Sequence, residues 1–157
     1  MTDEPRHGEQ LWRVAKKQRG RDGHPPTFET PDDLLDAAYA YLEWVDANPL
    51  YEFKAFSTGQ VLRVPKMRYP TIEGLCLHMG IVSRTWRSWR TPDHPLGDAV
   101  ERVQALLVQQ RMEGGAAGFF NPLIVARDLG LKDRSEQKRD VTVNVVDTYD
   151  DAGSDPE

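Results

Sequence analysis

The sequence IEGLCLHMGIVSRTWRSWR, residues 72–90, contains two short segments with helical patterns joined at Gly80. Apolar residues within the first segment, the small Cys76, the glycine at the junction and an apolar residue after it follow the order of a helix-turn-helix motif. A small residue lets two helices cross closely, glycine permits the tight turn, and an apolar residue fills the angle between the helices. The pattern predicts short helices over Ile72–Met79 and Ser83–Arg90.

The second segment carries arginine at every third position. Val82, Trp86 and Trp89 follow i, i+4 and i+7 spacing, which predicts that they share one side and that the indoles pack inside. The arginines then lie on another side, where they can bind phosphates or read guanine in the major groove. This helix is therefore predicted to contact DNA through Ser83, Arg84, Thr85, Arg87 and Arg90.

Other interpretations of the same helix stay open. The arginine row could be a solvated face, or it could form salt bridges with the acidic segment 25–62. Trp86 and Trp89 could be stacking platforms for single-stranded bases, although core packing is the more common role for such indoles.

Upstream of the motif, the sequence predicts a helix and a β-hairpin. Thr30-Pro31-Asp32-Asp33 is typical of a helix start, and an apolar stripe continues this helix to about Asp46. Tyr51–Phe56 and Gln60–Val64 are β-favouring runs separated by a glycine-containing loop, which predicts a hairpin. A lone hairpin is marginally stable, so it is expected to pack on something else.

Two more helical segments follow the motif. Leu96–Glu113 has helical apolar spacing, and Gly114-Gly115 is predicted to break or bend this helix. A further segment runs from Phe119 to Leu129, with Asn121-Pro122 as an internal cap or kink.

The two ends of the chain differ from this helical region. Residues 1–26 are polar with few apolar anchors, which predicts a flexible arm that is basic from Arg13 to Arg21. Val141–Val145 alternates apolar and polar residues, as a half-buried strand does. Because an isolated strand leaves its edges unpaired, its expected partner is the same strand of neighbouring subunits, closed into a barrel.

Charge is distributed unevenly along the chain. The net charge is −5, but residues 63–90 carry six basic side chains and one acidic side chain, and residues 1–24 carry six and four. Because a charged polymer responds to the local field within about 8–10 Å, a basic segment can bind phosphate on an acidic protein. Lys66 and Arg68 enlarge the basic patch beside the motif, and residues 141–157 contain five acids and no base.

Several classes of protein are excluded or disfavoured. The 157 residues allow one compact core with tails, and no apolar run approaches the roughly 20 residues of a membrane span. One cysteine cannot form an intrachain disulfide, and the scattered histidines predict no metal site. With no phosphate-binding loop and no nucleophile motif, the sequence predicts neither an enzyme nor a cofactor. The lack of a secretory leader in residues 1–10 predicts an intracellular protein.

Residues 28–132 resemble the small terminase subunit, the DNA-packaging recognition protein of tailed double-stranded DNA phages. The segments that carry the resemblance are YLEW (41–44), NPLYE (48–52), KAF (54–56), TIEGL (71–75), TW (85–86) and IVARDLGLK (124–132). Each segment alone is weakly specific, whereas together they are specific to this family.

The resemblance implies a ring of identical subunits, with a nonamer as one expected form, that binds the packaging start site on viral DNA. It implies delivery of that DNA to the large terminase subunit, which holds the ATPase and nuclease. It also implies that a long helical hairpin over Leu96–Leu129 mediates oligomerisation beneath the barrel of C-terminal strands. Such a protein would act in the host cytoplasm during infection and would be absent from the mature virion. Some family members end in a basic tail, which this acidic C-terminus does not match.

The expected architecture is therefore mainly α, with a helix-turn-helix-like region, a β-hairpin, a helical hairpin for oligomerisation and an intersubunit strand. The expected parts are a flexible basic arm (1–26), a DNA-binding region (27–95), an oligomerisation region (96–132), a linker and barrel strand (133–149) and a disordered acidic tail (150–157). Candidate DNA contacts outside the second helix of the motif are Lys66 and Arg68, and in the arm Arg13, Lys16, Lys17, Arg19 and Arg21.

Two other functions are compatible with the same residues. A dimeric helix-turn-helix transcriptional regulator could use the same two helices on half-sites one helical turn apart. An adaptor without DNA contact could instead pair its arginines with acidic residues across a subunit boundary.

Overall fold

The computed structural model describes residues 8–19 and 28–131, which form helices and one β-hairpin. In chain order the elements are α1 (Leu11–Arg19), α2 (Pro31–Ala47), β1 (Leu50–Ala55), β2 (Val61–Lys66), α3 (Ile72–Met79), α4 (Ser83–Trp89), α5 (Gly97–Ala116) and α6 (Pro122–Asp128). The predicted mainly helical fold with an antiparallel hairpin is confirmed. The predicted strand over 141–145, the barrel and the acidic tail lie outside the described residues.

Helix α2 begins with the predicted cap. The Thr30 hydroxyl accepts a hydrogen bond from the Asp33 backbone N–H at 3.2 Å, and the Asp33 carboxylate accepts one from the Thr30 N–H at 2.9 Å. This reciprocal pair satisfies two donors at the helix start, and Pro31 has no N–H to satisfy. The apolar stripe of α2 enters the core through Leu34, Ala38, Tyr41 and Val45.

Helices α3 and α4 form the predicted helix-turn-helix. Gly80 has φ 76°, a left-handed conformation that favours glycine, and the Ile81 N–H donates to the Cys76 carbonyl at 3.0 Å. Ile81 is buried after this turn. The two helices therefore meet over a closed apolar corner.

One core joins α2, α3, α4 and α5. Trp86 of α4 is among its largest fully buried side chains, and α5 contributes a stripe at helical spacing. The buried residues from α5 and its cap are Leu96, Ala99, Val100, Val103 and Leu107.

Strands β1 and β2 pair antiparallel, in a register that runs from Leu50 opposite Lys66 to Ala55 opposite Val61. The turn contains Gly59 with φ 83°, and the Phe56 N–H donates to the Gln60 carbonyl at 2.9 Å. Most side chains of both strands are exposed, so the hairpin extends from the helical core instead of covering it.

Of the predicted break or bend at Gly114-Gly115, the break is wrong, because α5 continues through both glycines to Ala116. The aromatic ring of Phe120 lies against Gly114, where any side chain would overlap the ring. These glycines therefore allow close packing inside a helix and do not end it.

The predicted helix from Phe119 is also corrected, since α6 begins only at Pro122. Gly118, with φ 75°, reverses the chain so that Phe119 and Phe120 lie in the turn. The Asn121 side chain accepts a hydrogen bond from the Leu123 N–H at 3.0 Å and so starts the helix. The second arm of the expected helical hairpin is thus seven residues long.

An ion pair fixes α6 on α5. The buried guanidinium of Arg111 donates to the Asp128 carboxylate, which also accepts a hydrogen bond from the Tyr69 hydroxyl at 2.8 Å. The Tyr69 ring meets Phe120 edge to face, with ring centroids 4.9 Å apart. These contacts set the position of α6 relative to the rest of the chain.

The expectation of a flexible arm does not fit residues 8–19, where α1 packs against α3. Val14 is buried, and the Gly8 N–H donates to the Pro49 carbonyl at 3.1 Å. The Glu9 carboxylate accepts hydrogen bonds from the Trp44 indole at 3.2 Å and from Lys17 at 2.7 Å. These polar contacts add to the small apolar area of the segment. They explain why α1 packs on the fold, although the sequence predicts a flexible arm.

Candidate nucleic-acid interface

Helix α4 presents its arginines to solvent because Trp86 fixes the rotation of the helix. The Trp86 side chain is 1% exposed in the core, and helical geometry then turns Arg84 and Arg87 outward. Arg90 follows at the C-cap of α4 and is also exposed. The sequence predicts that the indoles pack inside while the arginines face outward, and Trp86 fits this prediction.

The three guanidiniums are available to an external anion. Within residues 8–19 and 28–131, no ion pair joins Arg84, Arg87 or Arg90 to a carboxylate. Arg87 donates from Nε to the Ser83 carbonyl at 3.2 Å, which orients the side chain and leaves its charge unpaired. The alternative of salt bridges to the acidic segment 25–62 finds no support in the described part of the chain.

The two indoles of α4 differ in exposure. Trp86 is enclosed in the core and has no free face on which a base could stack. Trp89 is half-buried and meets Phe28 edge to face, with ring centroids 5.8 Å apart. Stacking of a base on Trp86 is therefore excluded, and Trp89 also serves packing.

Val82 does not share the buried side with Trp86, contrary to the prediction. It is the N-cap of α4, with φ −95° and ψ 150°, so the helical periodicity does not apply to its side chain. Val82 is 65% exposed beside Ser83 and Thr85, which are both partly buried at the start of α4.

A groove connects α1 with this corner of the helix-turn-helix. Its volume is about 540 Å³, and Lys16 of α1 and Val82 both line it. Lys16, which lies on the exposed side of α1, therefore stands next to the start of α4. The structure thus places Lys16 on the same groove as Val82, which lies more than 60 residues away in the sequence. The full lining is Trp12, Ala15, Lys16, Leu77, Gly80, Ile81 and Val82.

The other predicted cations of the arm have varied surroundings. Arg13 is exposed on α1, with its guanidinium 5.2 Å from the centre of the Trp12 ring. Lys17 is exposed and pairs with Glu9 at 2.7 Å. Arg19 is the last residue of α1, and Arg21 lies outside the described residues.

Lys66 and Arg68 lie next to protein groups that engage them. Lys66, at the end of β2, pairs with Glu52 on β1 at 3.1 Å, and the ammonium lowers the pKa of the Glu52 carboxyl. Arg68 lies over the Trp44 ring and donates to the Asn48 and Glu9 carbonyls. Its burial lowers the pKa of the guanidinium. Arg68 therefore ties three parts of the fold together, and Lys66 is partly neutralised.

Sequence reasoning did not identify Val82 or Trp12 as surface residues. Both are large, apolar and exposed at the groove beside α4. The turn at Gly80 could have identified Val82 as exposed. A residue that follows a turn glycine and one buried apolar residue occupies the N-cap, so helical periodicity does not apply to it. No comparable signal marked Trp12.

Among residues 8–19 and 28–131, no three His, Cys, Asp or Glu side chains are placed to hold a metal ion. Burial raises the pKa of the Cys76 thiol to about 11, so it is protonated and unreactive at neutral pH. None of the helices in these ranges is both long and apolar enough to cross a membrane.

Comparison with known proteins extends beyond the helix-turn-helix. Residues 23–137 match the family of the DNA-packaging protein gp3. The chain is also similar to the small terminase subunit of Salmonella phage P22, at 44% identity over 138 residues, which cover 86% of this chain and 82% of that protein. The family match therefore includes α2, the hairpin, the helix-turn-helix and both helices α5 and α6.

Proposed function

The chain belongs to the small terminase subunit family of bacteriophage DNA-packaging proteins, and we propose that it recognises the packaging start site on double-stranded viral DNA. The observation that carries this proposal is the unpaired arginine row of α4 on a helix-turn-helix. In such motifs the second helix enters the major groove.

The DNA-contacting surface is centred on Arg84, Arg87 and Arg90, with Ser83 and Thr85 at the start of the same helix. Arginine suits this role because its planar group binds phosphate or guanine through two parallel hydrogen bonds. Cations of the N-terminal arm extend this surface, with Lys16 at the groove and Arg13, Lys17, Arg19 and Arg21 in support. Lys66 plays a secondary part, and Arg68 is left out because its guanidinium is engaged within the fold.

Alanine substitution at Arg84, Arg87 and Arg90 together tests this surface. The variant is expected to lose most of its affinity for duplex DNA, because each lost phosphate or base contact contributes on the order of 1 kcal/mol or more. Arg102→Ala with Arg127→Ala is a control that removes two exposed cations from α5 and α6. Because these helices are proposed to join subunits, the native mass of each variant is compared with that of wild type. Equal loss in the control, or full affinity in the triple variant, contradicts the proposed surface.

The protein also assembles with further copies of itself through α5 and α6. Monomers rarely expose large contiguous apolar surface, yet α6 and the turn before it carry several exposed apolar side chains. Leu123 is 70% exposed, and Val108 and Met112 of α5 are one helical turn apart. A closed ring covers such a surface once per subunit, and it raises the effective concentration of weak DNA contacts. The apolar residues are Val108, Met112, Phe119, Leu123 and Ile124.

Native mass measurement tests the ring, including a nine-subunit form. Leu123→Glu with Ile124→Glu is expected to dissociate the assembly while the protomer stays folded, because both side chains are exposed within it. The matched control is Phe53→Glu on the exposed hairpin. A wild-type dimer, as a transcriptional regulator would form, contradicts the ring.

In this proposal the small subunit brings DNA to the large terminase subunit, which carries the ATPase and nuclease. The protein is then neither an enzyme nor dependent on a cofactor, and it acts in the host cytoplasm without entering the mature virion. Residues 141–157, with five acids and no base, suit contact with a protein better than contact with DNA.

A further inference from the structure

The side chain at position 82 is unfavourable for folding in two respects. Val82 is the N-cap of α4 and makes no capping hydrogen bond, whereas serine, threonine, aspartate or asparagine would stabilise this position. Its side chain is also 65% exposed, so it contributes little to the core. Folding alone therefore gives no reason for valine here.

The surroundings of Val82 are cationic and partly apolar. Arg84 and Arg87 extend from the same helix, and Lys16 lines the groove that Val82 borders. Leu77 continues the exposed apolar surface along that groove. An apolar side chain among unpaired cations fits a polyanion that itself carries apolar groups.

Duplex DNA has this chemistry in its major groove. The 5-methyl group of thymine projects there beside the acceptor atoms of neighbouring bases, and apolar side chains recognise it by contact. In a helix-turn-helix, residues around the start of the second helix reach base edges, while arginines bind phosphates or guanine.

We propose that Val82 is a specificity-determining residue that contacts a thymine methyl group in the DNA bound by α4. The proposal rests on the proposed function, since it requires α4 to enter the major groove. It adds that the site distinguishes thymine from cytosine through an apolar contact, in addition to the charge of the arginines.

Paired DNA probes test the contact directly. A duplex selected from a random library by the full-length protein is synthesised with thymine and again with uracil, which lacks only the methyl group. Wild type is expected to bind the uracil duplex about fourfold less tightly for each methyl it contacts, as expected for one buried carbon. Val82→Ser is expected to bind both duplexes equally.

Two further variants keep the test decisive. Val82→Thr retains one methyl group and can cap the helix, so it should keep part of the thymine preference and melt at or above the wild-type temperature. Val61→Ala alters a valine with 62% exposure on the hairpin and should keep the full preference. The melting temperature of Val82→Ser should not fall, because serine supplies the missing cap.

The outcomes separate this proposal from the one on which it rests. The same thymine-to-uracil ratio in wild type and Val82→Ser overturns the Val82 contact, even if loss of the arginines abolishes binding. A change in native mass for Val82→Ser also overturns it, because Val82 would then lie between subunits. Wild-type affinity in the triple arginine variant instead overturns the proposed function itself.

Discussion

Trp86 connects the stability of the protein to the orientation of its arginines. Its side chain fills the corner between α3, α4 and α5, and its indole N–H has no hydrogen-bond partner among the described residues. Trp86→Ala is therefore expected to lower the free energy of unfolding by about 3–5 kcal/mol through loss of buried area and formation of a cavity. Chemical denaturation measures the difference.

Trp86→Phe is the matched control for that prediction. Phenylalanine keeps most of the ring and removes an N–H that makes no hydrogen bond within the described residues, so its effect should be clearly smaller than that of alanine. A near-neutral result for Trp86→Ala would contradict the buried position of the indole.

His78 gives the protein a predictable response to acid. The imidazole lies between Tyr41 and Trp44, with ring centroids 5.5 and 5.8 Å away, and burial lowers its pKa from the ordinary value near 6.5. The unfolded chain then binds a proton more readily than the folded chain. The contribution of His78 to stability is full above pH 6.5 and decreases as the pH falls below that value.

The variant His78→Phe isolates this effect. Its free energy of unfolding should fall less between pH 7 and pH 5 than that of wild type, because phenylalanine cannot take up a proton. Denaturant titrations at several pH values provide the comparison. Parallel curves for the two proteins would show that His78 is not held neutral by its surroundings.

At the residue scale, the sequence predicts the outward position of the α4 arginines better than it predicts the tertiary contacts of individual cations. The arginines of α4 follow from their spacing relative to Trp86, since helical geometry alone separates the two sides. The engagement of Arg68 depends on Trp44 and on carbonyls of residues 9 and 48, which are distant in sequence. Such tertiary contacts leave no periodic signal, so Arg68 looked like any other cation of the basic segment.

At the element scale, the packing of the turn between α5 and α6 depends on the absence of a side chain at Gly114. The Phe120 ring packs against Gly114 inside α5, where a methyl group would overlap it. Gly114→Ala should therefore lower the free energy of unfolding by about 1–3 kcal/mol, despite the higher helix propensity of alanine. Thermal or chemical denaturation can detect this loss.

Gly115 supplies the control on the same helix. A methyl group there would lie 3.3 Å from the side chain of Val125, a tight contact that a small shift can relieve. Gly115→Ala should therefore be near-neutral or mildly destabilising. If Gly114→Ala is instead the more stable variant, the packing of Phe120 on α5 is wrong.

Elements with strong local signals were predicted closely. The cap at Thr30, the turn at Gly80 and the hairpin each depend on residues that are neighbours in sequence. The end of α5 was missed because Gly114 normally weakens a helix, and only the later Phe120 explains its place. Helix α1 is not evident from the sequence because its few apolar contacts, such as the buried Val14, are supplemented by hydrogen bonds that the Glu9 carboxylate accepts from Trp44 and Lys17.

At the scale of the whole molecule, the uneven charge supports the proposed DNA binding and the exposed apolar side chains support the proposed assembly. The basic segment 63–90 forms the helix-turn-helix and part of the hairpin. Within the described residues, no acidic side chain forms an ion pair with an arginine of α4. The apolar surface of α5 and α6 belongs to other elements. The proposed DNA-binding surface and the proposed assembly surface therefore lie on different elements of the subunit.

The salt dependence of DNA affinity tests whether the arginines of α4 bind the phosphates of duplex DNA. Affinity of the wild-type assembly for duplex DNA should fall linearly on a logarithmic plot against salt, because bound arginines release counterions from phosphates. Replacing Arg84 and Arg87 by alanine should flatten this slope by about 0.9 for each phosphate contact removed. An unchanged slope in that variant, with its native mass intact, would contradict a DNA-binding role for α4.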